Sequence, residues 1–209
     1  MTIFFSSLLA YFIGTIPTAY VFVRRVTGKD IFTEGSGNPG ALNTFEVTGD
    51  RRIGLLVMLL DTLKGVAAVL VARAITGDNF YAVSMAAVFV VLGHCYNIFF
   101  AGRGGRGLAP AAGAVAAVNP VALFLWLLLW VTGYYVIRRH VHVGNLAATI
   151  GTPMLLYSTP EPIIRYLALV PAFSSDQYKL MVFLVCLQIF FRHLEPIREM
   201  FAQDKDDPE

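Results

Sequence analysis

Long apolar blocks, interrupted by short polar stretches, constrain this chain more than any other feature. Ile3–Val23, Ile53–Val71 and Leu108–Ile137 carry few charged residues. A soluble helix would confine its apolar side chains to one face, whereas these blocks are apolar all round. Of the 209 residues, 56% are hydrophobic and 14% charged, against about 25% charged in an ordinary soluble domain. Too few charges remain to coat a water-exposed surface. A bilayer offers no partners to backbone N–H and C=O groups, so the blocks are expected to be helices, which satisfy those groups internally.

The expected spans begin with Ile3–Val23, Ile53–Ala74 and Phe80–Leu92. The run from Leu108 to Ile137 is too long for one span of ~20 residues and too short for two. Asn119–Pro120 divides it, because proline disfavours helix at the residue before it and donates no hydrogen bond. Two more spans lie near Val143–Tyr157 and Leu180–Phe191. The expectation is an all-α integral membrane protein of about seven helices, forming one polytopic domain over residues 1–209. Several helices are short, which a membrane tolerates where they abut protein or line a cavity. The N-terminal block lacks a basic leader and a cleavage site, so it reads as a retained first span. Residues 203–209 form an acidic segment, expected to be a mobile tail. Cys95 and Cys186 are isolated and read as small packing residues.

Charge distribution orients the bundle. With the N-terminus outside, Arg24, Arg25, Arg51, Arg52, Arg103, Arg106, Arg138, Arg139, Arg192 and Arg198 fall on one side, with Lys29 and Lys205. The opposite side receives Arg73, Arg165 and Lys179. That asymmetry predicts a cytoplasmic face carrying the polar loops and the C-terminus. The formal net charge of +2 gives no reason to expect nucleic acid as a partner.

Two glycine-rich loops interrupt the apolar pattern: Gly35–Asn43, and Gly102-Arg103-Gly104-Gly105-Arg106-Gly107. Glycine lets backbone amides converge on an anion, and arginine adds a forked cation that matches phosphate oxygens. The plain alternative is a turn for the first loop and headgroup anchoring for the second. Asp61 and Lys64 stand one helical turn apart within a span, so they share a face and can neutralise each other. They read as a structural polar pair. His94 precedes the second loop, and Arg192, His193 and Glu195 follow the last apolar stretch. His140, His142 and Asn145 form a further polar cluster. No His/Cys/carboxylate spacing suits zinc, and no cofactor motif is present.

These segments together resemble the bacterial acyl-phosphate-dependent glycerol-3-phosphate acyltransferases (PlsY type). The resemblance runs through Gly14–Pro17, Gly35–Asn43, Asp61–Gly65, Gly93-His94 with Gly102–Gly107, and Arg192–Glu195. It implies transfer of a fatty acyl group from acyl phosphate to glycerol 3-phosphate in phospholipid synthesis, at the cytoplasmic face of a bacterial inner membrane. Ser36, Arg106 and His193 then take catalytic positions. Gly37, Asn38, Gly40, Asn43, His94, Arg103, Gly104, Gly105, Gly107, Asn145 and Arg192 become substrate-binding positions. Expected partners are acyl phosphate, glycerol 3-phosphate and membrane lipid. The chain departs from the family pattern at Glu46 (usually arginine), Asn97, Pro110, the His142–Asn145 stretch and Pro196. Arg103 and Arg106 stand where lysine is usual. A related acyltransferase with another acceptor, or a non-catalytic paralogue binding lipid phosphates, remains the alternative reading.

Overall fold

The computed structural model describes residues 1–206, with side chains through Ala202, and every regular element among them is helical. In order the α-helices are α1 (Thr2–Gly14), α2 (Thr18–Thr27), α3 (Ala41–Thr48), α4 (Arg51–Thr76) and α5 (Phe80–Cys95), which a short 3-10 turn at Ile98–Phe100 follows. Then come α6 (Leu108–Val118), α7 (Pro120–Thr132), α8 (Val141–Ser158), α9 (Glu161–Tyr166) and α10 (Ser175–Asp206). Each expected span is helical, apart from a break within the first. Among the described residues, five stretches are long and apolar enough to cross a membrane: Thr2–Thr27, Arg51–Thr76, Phe80–Phe100, Pro120–Ile137 and Ser175–Ala202. α6 is shorter but apolar, and α8 contains Pro153.

The division at Asn119–Pro120 has a full set of partners. The Asn119 side-chain oxygen caps α7 by accepting from the Val121 N–H at 3.1 Å, and Pro120 occupies the first turn, where no amide is needed. The Asn119 amide also donates to the Ile164 carbonyl at 2.8 Å, fastening α9 beneath the break.

Three boundaries differ from the expectation. The first block is two helices, because Pro17 ends one hydrogen-bonded run and α2 starts after it. The loop after Gly40 contains a helix of its own, α3. The last helix does not stop at Phe191 but runs 32 residues, through Pro196, to Asp206. The first residues of the expected acidic tail therefore extend α10, while residues 207–209 lie outside the described residues.

Small residues set the helix packing. α1 lies on α5, α4 on α6, α7 on α8, and α10 against α8 and α5. A Cβ built on Gly65 of α4 would lie 2.0 Å from the Pro110 carbonyl oxygen of α6, and one on Gly113 of α6 would lie 2.0 Å from the Thr62 carbonyl oxygen. This reciprocal contact lets two backbones approach closely, the usual device of membrane helix pairs. It also places Lys64 against the bundle interior. Gly65→Ala is expected to cost about 1–3 kcal/mol through overpacking against rigid backbone. Thermal unfolding in detergent checks this, since ~1 kcal/mol lowers Tm by about 2–4 °C in a chain of this size.

Candidate active site

Asn43 organises the first glycine loop. Its side chain is 1% exposed, and its oxygen accepts from the Ser36 backbone N–H at 3.0 Å. Its amide donates to the carbonyls of Glu34 at 3.1 Å and Ile31 at 3.4 Å. Gly35 and Gly37 adopt left-handed φ values of 56° and 64°, which close the loop around this centre. The effect is to turn Ser36, Gly37 and Asn38 into one wall of a polar cavity of about 370 Å³.

The second loop forms the facing wall, and it is braced from both sides. Below it, the Gly105 N–H donates to the His94 carbonyl at 3.0 Å, and a Cβ on Gly105 would lie 2.1 Å from His94 Nε2. From α10, Arg192 donates through Nη2 to the Gly104 carbonyl at 2.5 Å and through Nε to the Gly105 carbonyl at 3.1 Å. The Arg103 guanidinium lies 4.7 Å from the centre of the Phe32 ring, coupling the two loops by a cation–π contact.

Arg106 is half-buried and borders the cavity. Burial lowers its pKa from the ordinary guanidinium value, and the nearby carboxylates of Glu199, Glu46 and Glu195 oppose that shift. A guanidinium in a protein stays protonated, so the cavity keeps a fixed positive charge. Its Nη1 lies 3.4 Å from His142 Nε2.

Behind this wall runs a neutral relay. Trp130 donates to the Asn145 side-chain oxygen at 2.8 Å, and the Asn145 amide lies 3.3 Å from His193 Nε2. His193 Nδ1 lies 2.8 Å from the Ile189 carbonyl, which only accepts, so the ring proton is on Nδ1 and Nε2 receives the Asn145 amide. His193 is 1% exposed and both its nitrogens are engaged.

Seven of the expected site residues line the cavity: Ser36, Gly37, Asn38, Arg103, Gly104, Arg106 and Arg192. Gly40, Asn43, His94, Gly105, Gly107, Asn145 and His193 stand behind it. The reason is physical: Asn43 and His193 bind backbone groups, Asn145 binds Trp130 and His193, the His94 ring packs against Gly105, and the glycines permit close approach. Gly107, at φ 84°, would drive a Cβ to within 2.8 Å of Cys95 Sγ. Glu195, which the sequence motif names without a role, and Glu199, which it does not reach, are also wall residues. Their spacing from Arg192, at i+3 and i+7, places all three on one helical face and was the available signal.

Asp61 and Lys64 lie away from that cavity and close the break in the first span. Their ion pair is 2.7 Å long and buried. Thr18 donates its hydroxyl to Asp61, and Lys64 donates to the Ile16 carbonyl at 2.7 Å. Asn97, one of the departures, donates to the Thr15 carbonyl at 2.7 Å, so it serves the same break.

A second cavity, apolar and about 110 Å³, lies between α6, α7, α8 and α10, bordered by Leu108, Ala111, Trp126, Val185 and Ile189. Leu108 immediately follows the second glycine loop, and Ile189 lies one turn before Arg192 on α10. Both cavities are thus bordered by α10.

The sequence of residues 4–203 matches the family model described as glycerol-3-phosphate acyltransferase. The chain belongs to this family. Glycerol-3-phosphate acyltransferase 2 of Moorella thermoacetica is 41% identical over 160 residues, covering 76% of this chain and 80% of that protein. A glycerol-3-phosphate acyltransferase of Pseudomonas putida is 33% identical over 196 residues, or 94% of each chain. The crystal structure of PlsY (YgiH), an integral membrane glycerol 3-phosphate acyltransferase, in its glycerol 3-phosphate form superposes with a TM-score of 0.78. It has 30% sequence identity and covers 97% of this chain and 94% of that one. Its lysophosphatidic acid form gives a TM-score of 0.76. This glycerol-3-phosphate acyltransferase family member is a multi-pass membrane protein. Its departures at Glu46, His142 and Pro196 fall within the shared fold.

Proposed function

We propose that this chain transfers a fatty acyl group from acyl phosphate to a hydroxyl of glycerol 3-phosphate, giving lysophosphatidic acid and inorganic phosphate. One observation carries the reading: three arginines and the Ser36–Asn38 segment border a polar cavity that shares α10 with an apolar cavity. An amphiphilic donor fits that pairing, with its chain between α6, α7, α8 and α10 and its phosphate among the arginines. The acceptor hydroxyl oxygen bonds to the acyl carbon as the bond from that carbon to the phosphate oxygen breaks. The hydroxyl proton leaves with the departing phosphate. An acyl phosphate is already activated, so the work of this chain is to hold two anions together and to stabilise the negative charge that develops on the reacting oxygens.

Within this reading Arg106 and Arg103 contact phosphate oxygens, Ser36 donates to a substrate from the opposite wall, and Arg192 fixes the loop that carries the other two. Asn145 and His193 set the position of α8 against α10 behind them. The distribution of arginine and lysine supports a cytoplasmic site in a bacterial inner membrane, with the N-terminus outside.

Purified protein in lipid, supplied with palmitoyl phosphate and glycerol 3-phosphate, is expected to release phosphate and lysophosphatidic acid in equal amounts. Folded protein that releases neither, under conditions where the Moorella relative turns over, would sink the reading. Turnover with another acceptor alone would replace glycerol 3-phosphate while leaving the donor in place.

A further inference from the structure

We propose that His142 is a positioning residue for Arg106, a neutral ring that holds the guanidinium at the polar cavity; the inference rests on the reading that Arg106 meets a substrate phosphate. The two side chains arrive from different elements, Arg106 from the loop before α6 and His142 from the first turn of α8, and meet at 3.4 Å. A guanidinium offers five donors and no acceptor. The His142 nitrogen that faces it must therefore present its lone pair, which puts the ring proton on Nδ1. That Nδ1 is buried and has no hydrogen-bond partner among the described residues. The contact with Arg106 is thus the hydrogen bond that orients the ring.

The surroundings explain why a neutral partner is useful there. The titratable groups around His142 are Arg106 from the loop, His193 from α10 at 6.2 Å between rings, and His140 from its own turn at 5.3 Å. None of these supplies negative charge, so an imidazolium would face only neutral or positive neighbours. Arg106, by contrast, feels three carboxylates, with Glu199 the strongest. An unheld Arg106 would swing toward Glu199 and present a neutralised pair to the substrate. A carboxylate at position 142 would hold the arginine but cancel its charge. Neutral imidazole holds it and leaves the charge for phosphate.

The test needs one readout that does not depend on turnover. In ¹⁵N-histidine-labelled protein in lipid nanodiscs, His142 is expected to show the neutral Nδ1–H tautomer. Arg106→Met should move its Nε2 resonance as that nitrogen loses its donor. In the kinetic arm, His142→Leu should raise KM for glycerol 3-phosphate about tenfold with a smaller effect on kcat. His142→Gln, whose amide oxygen can accept from Arg106, should stay near the parent value. In the Arg106→Met background, His142→Leu should add nothing. An Nε2 resonance indifferent to Arg106, an unchanged KM in His142→Leu, or an equal cost in both backgrounds would overturn the inference. Absence of turnover in the unmodified protein would count against the acyl-transfer reading alone, and the resonance would then decide the Arg106–His142 contact by itself.

Discussion

Arg106→Glu is expected to lower kcat/KM for glycerol 3-phosphate by about 10²–10³-fold, because like charges brought together in a partly buried site cost several kcal/mol. The size follows from where the side chain stands. Arg106 is half-buried at the cavity wall, so water screens it less than an exposed cation. It also shares that wall with Glu195 and Glu199, and a third carboxylate would leave Arg103 and Arg192 outnumbered. Arg106→Lys keeps the charge but loses the forked donors and the His142 contact, and is expected to cost about tenfold. Arg192 answers differently. Its guanidinium is committed to the Gly104 and Gly105 carbonyls, so Arg192→Lys should lower the thermal midpoint together with activity. Steady-state kinetics on variants whose unfolding temperature has been measured separates the two roles. Parent-like kinetics in Arg106→Glu would remove Arg106 from the substrate site.

Which parts of this molecule could be read from the sequence depends on what each signal reports. The apolar blocks report burial in lipid, and each is helical, the first as two helices either side of a break. Asn119–Pro120 was legible because proline and an asparagine cap are local signals that no tertiary contact overrides. The break at Pro17 was missed inside a block of similar hydrophobicity. A helix interrupted at membrane depth needs partners for its freed carbonyls, and those come from Lys64 and Asn97, each remote in sequence. No local pattern announces such a partner.

The site shows the same limit at finer grain. Arg103 and Arg106 stand out in the sequence as candidate phosphate ligands because glycines flank both, and both border the polar cavity. Asn43 and His193 belong to the neighbouring motifs, yet their side chains bind backbone carbonyls, an amide and a neighbouring asparagine. A polar residue in a motif looks alike in sequence whether its partner is a ligand or a loop. Glu199 is hidden from the sequence because the apolar pattern ends at Phe191, although the helix does not. Continued through Pro196, the helix carries Arg192, Glu195 and Glu199 on the face that borders the cavity.

The Asp61–Lys64 pair gives the second large effect, in stability. Lys64→Met is expected to destabilise the protein by about 3–5 kcal/mol, since removing one member of a buried ion pair strands the other charge. Here the stranded group is Asp61, 2% exposed, left with the Thr18 hydroxyl as its remaining partner. The Ile16 carbonyl loses its donor in the same step, which loosens the break between α1 and α2. Asp61→Asn combined with Lys64→Met removes both charges and should recover much of the loss, because neither carboxylate nor ammonium is then stranded. Thermal unfolding in a fixed detergent measures both variants, and ~1 kcal/mol corresponds to about 2–4 °C for a chain of this length. Activity should follow stability here, since the pair lies outside the polar cavity. A double variant no more stable than Lys64→Met would show that the attachment to the Ile16 carbonyl, and not the stranded charge, carries the energy.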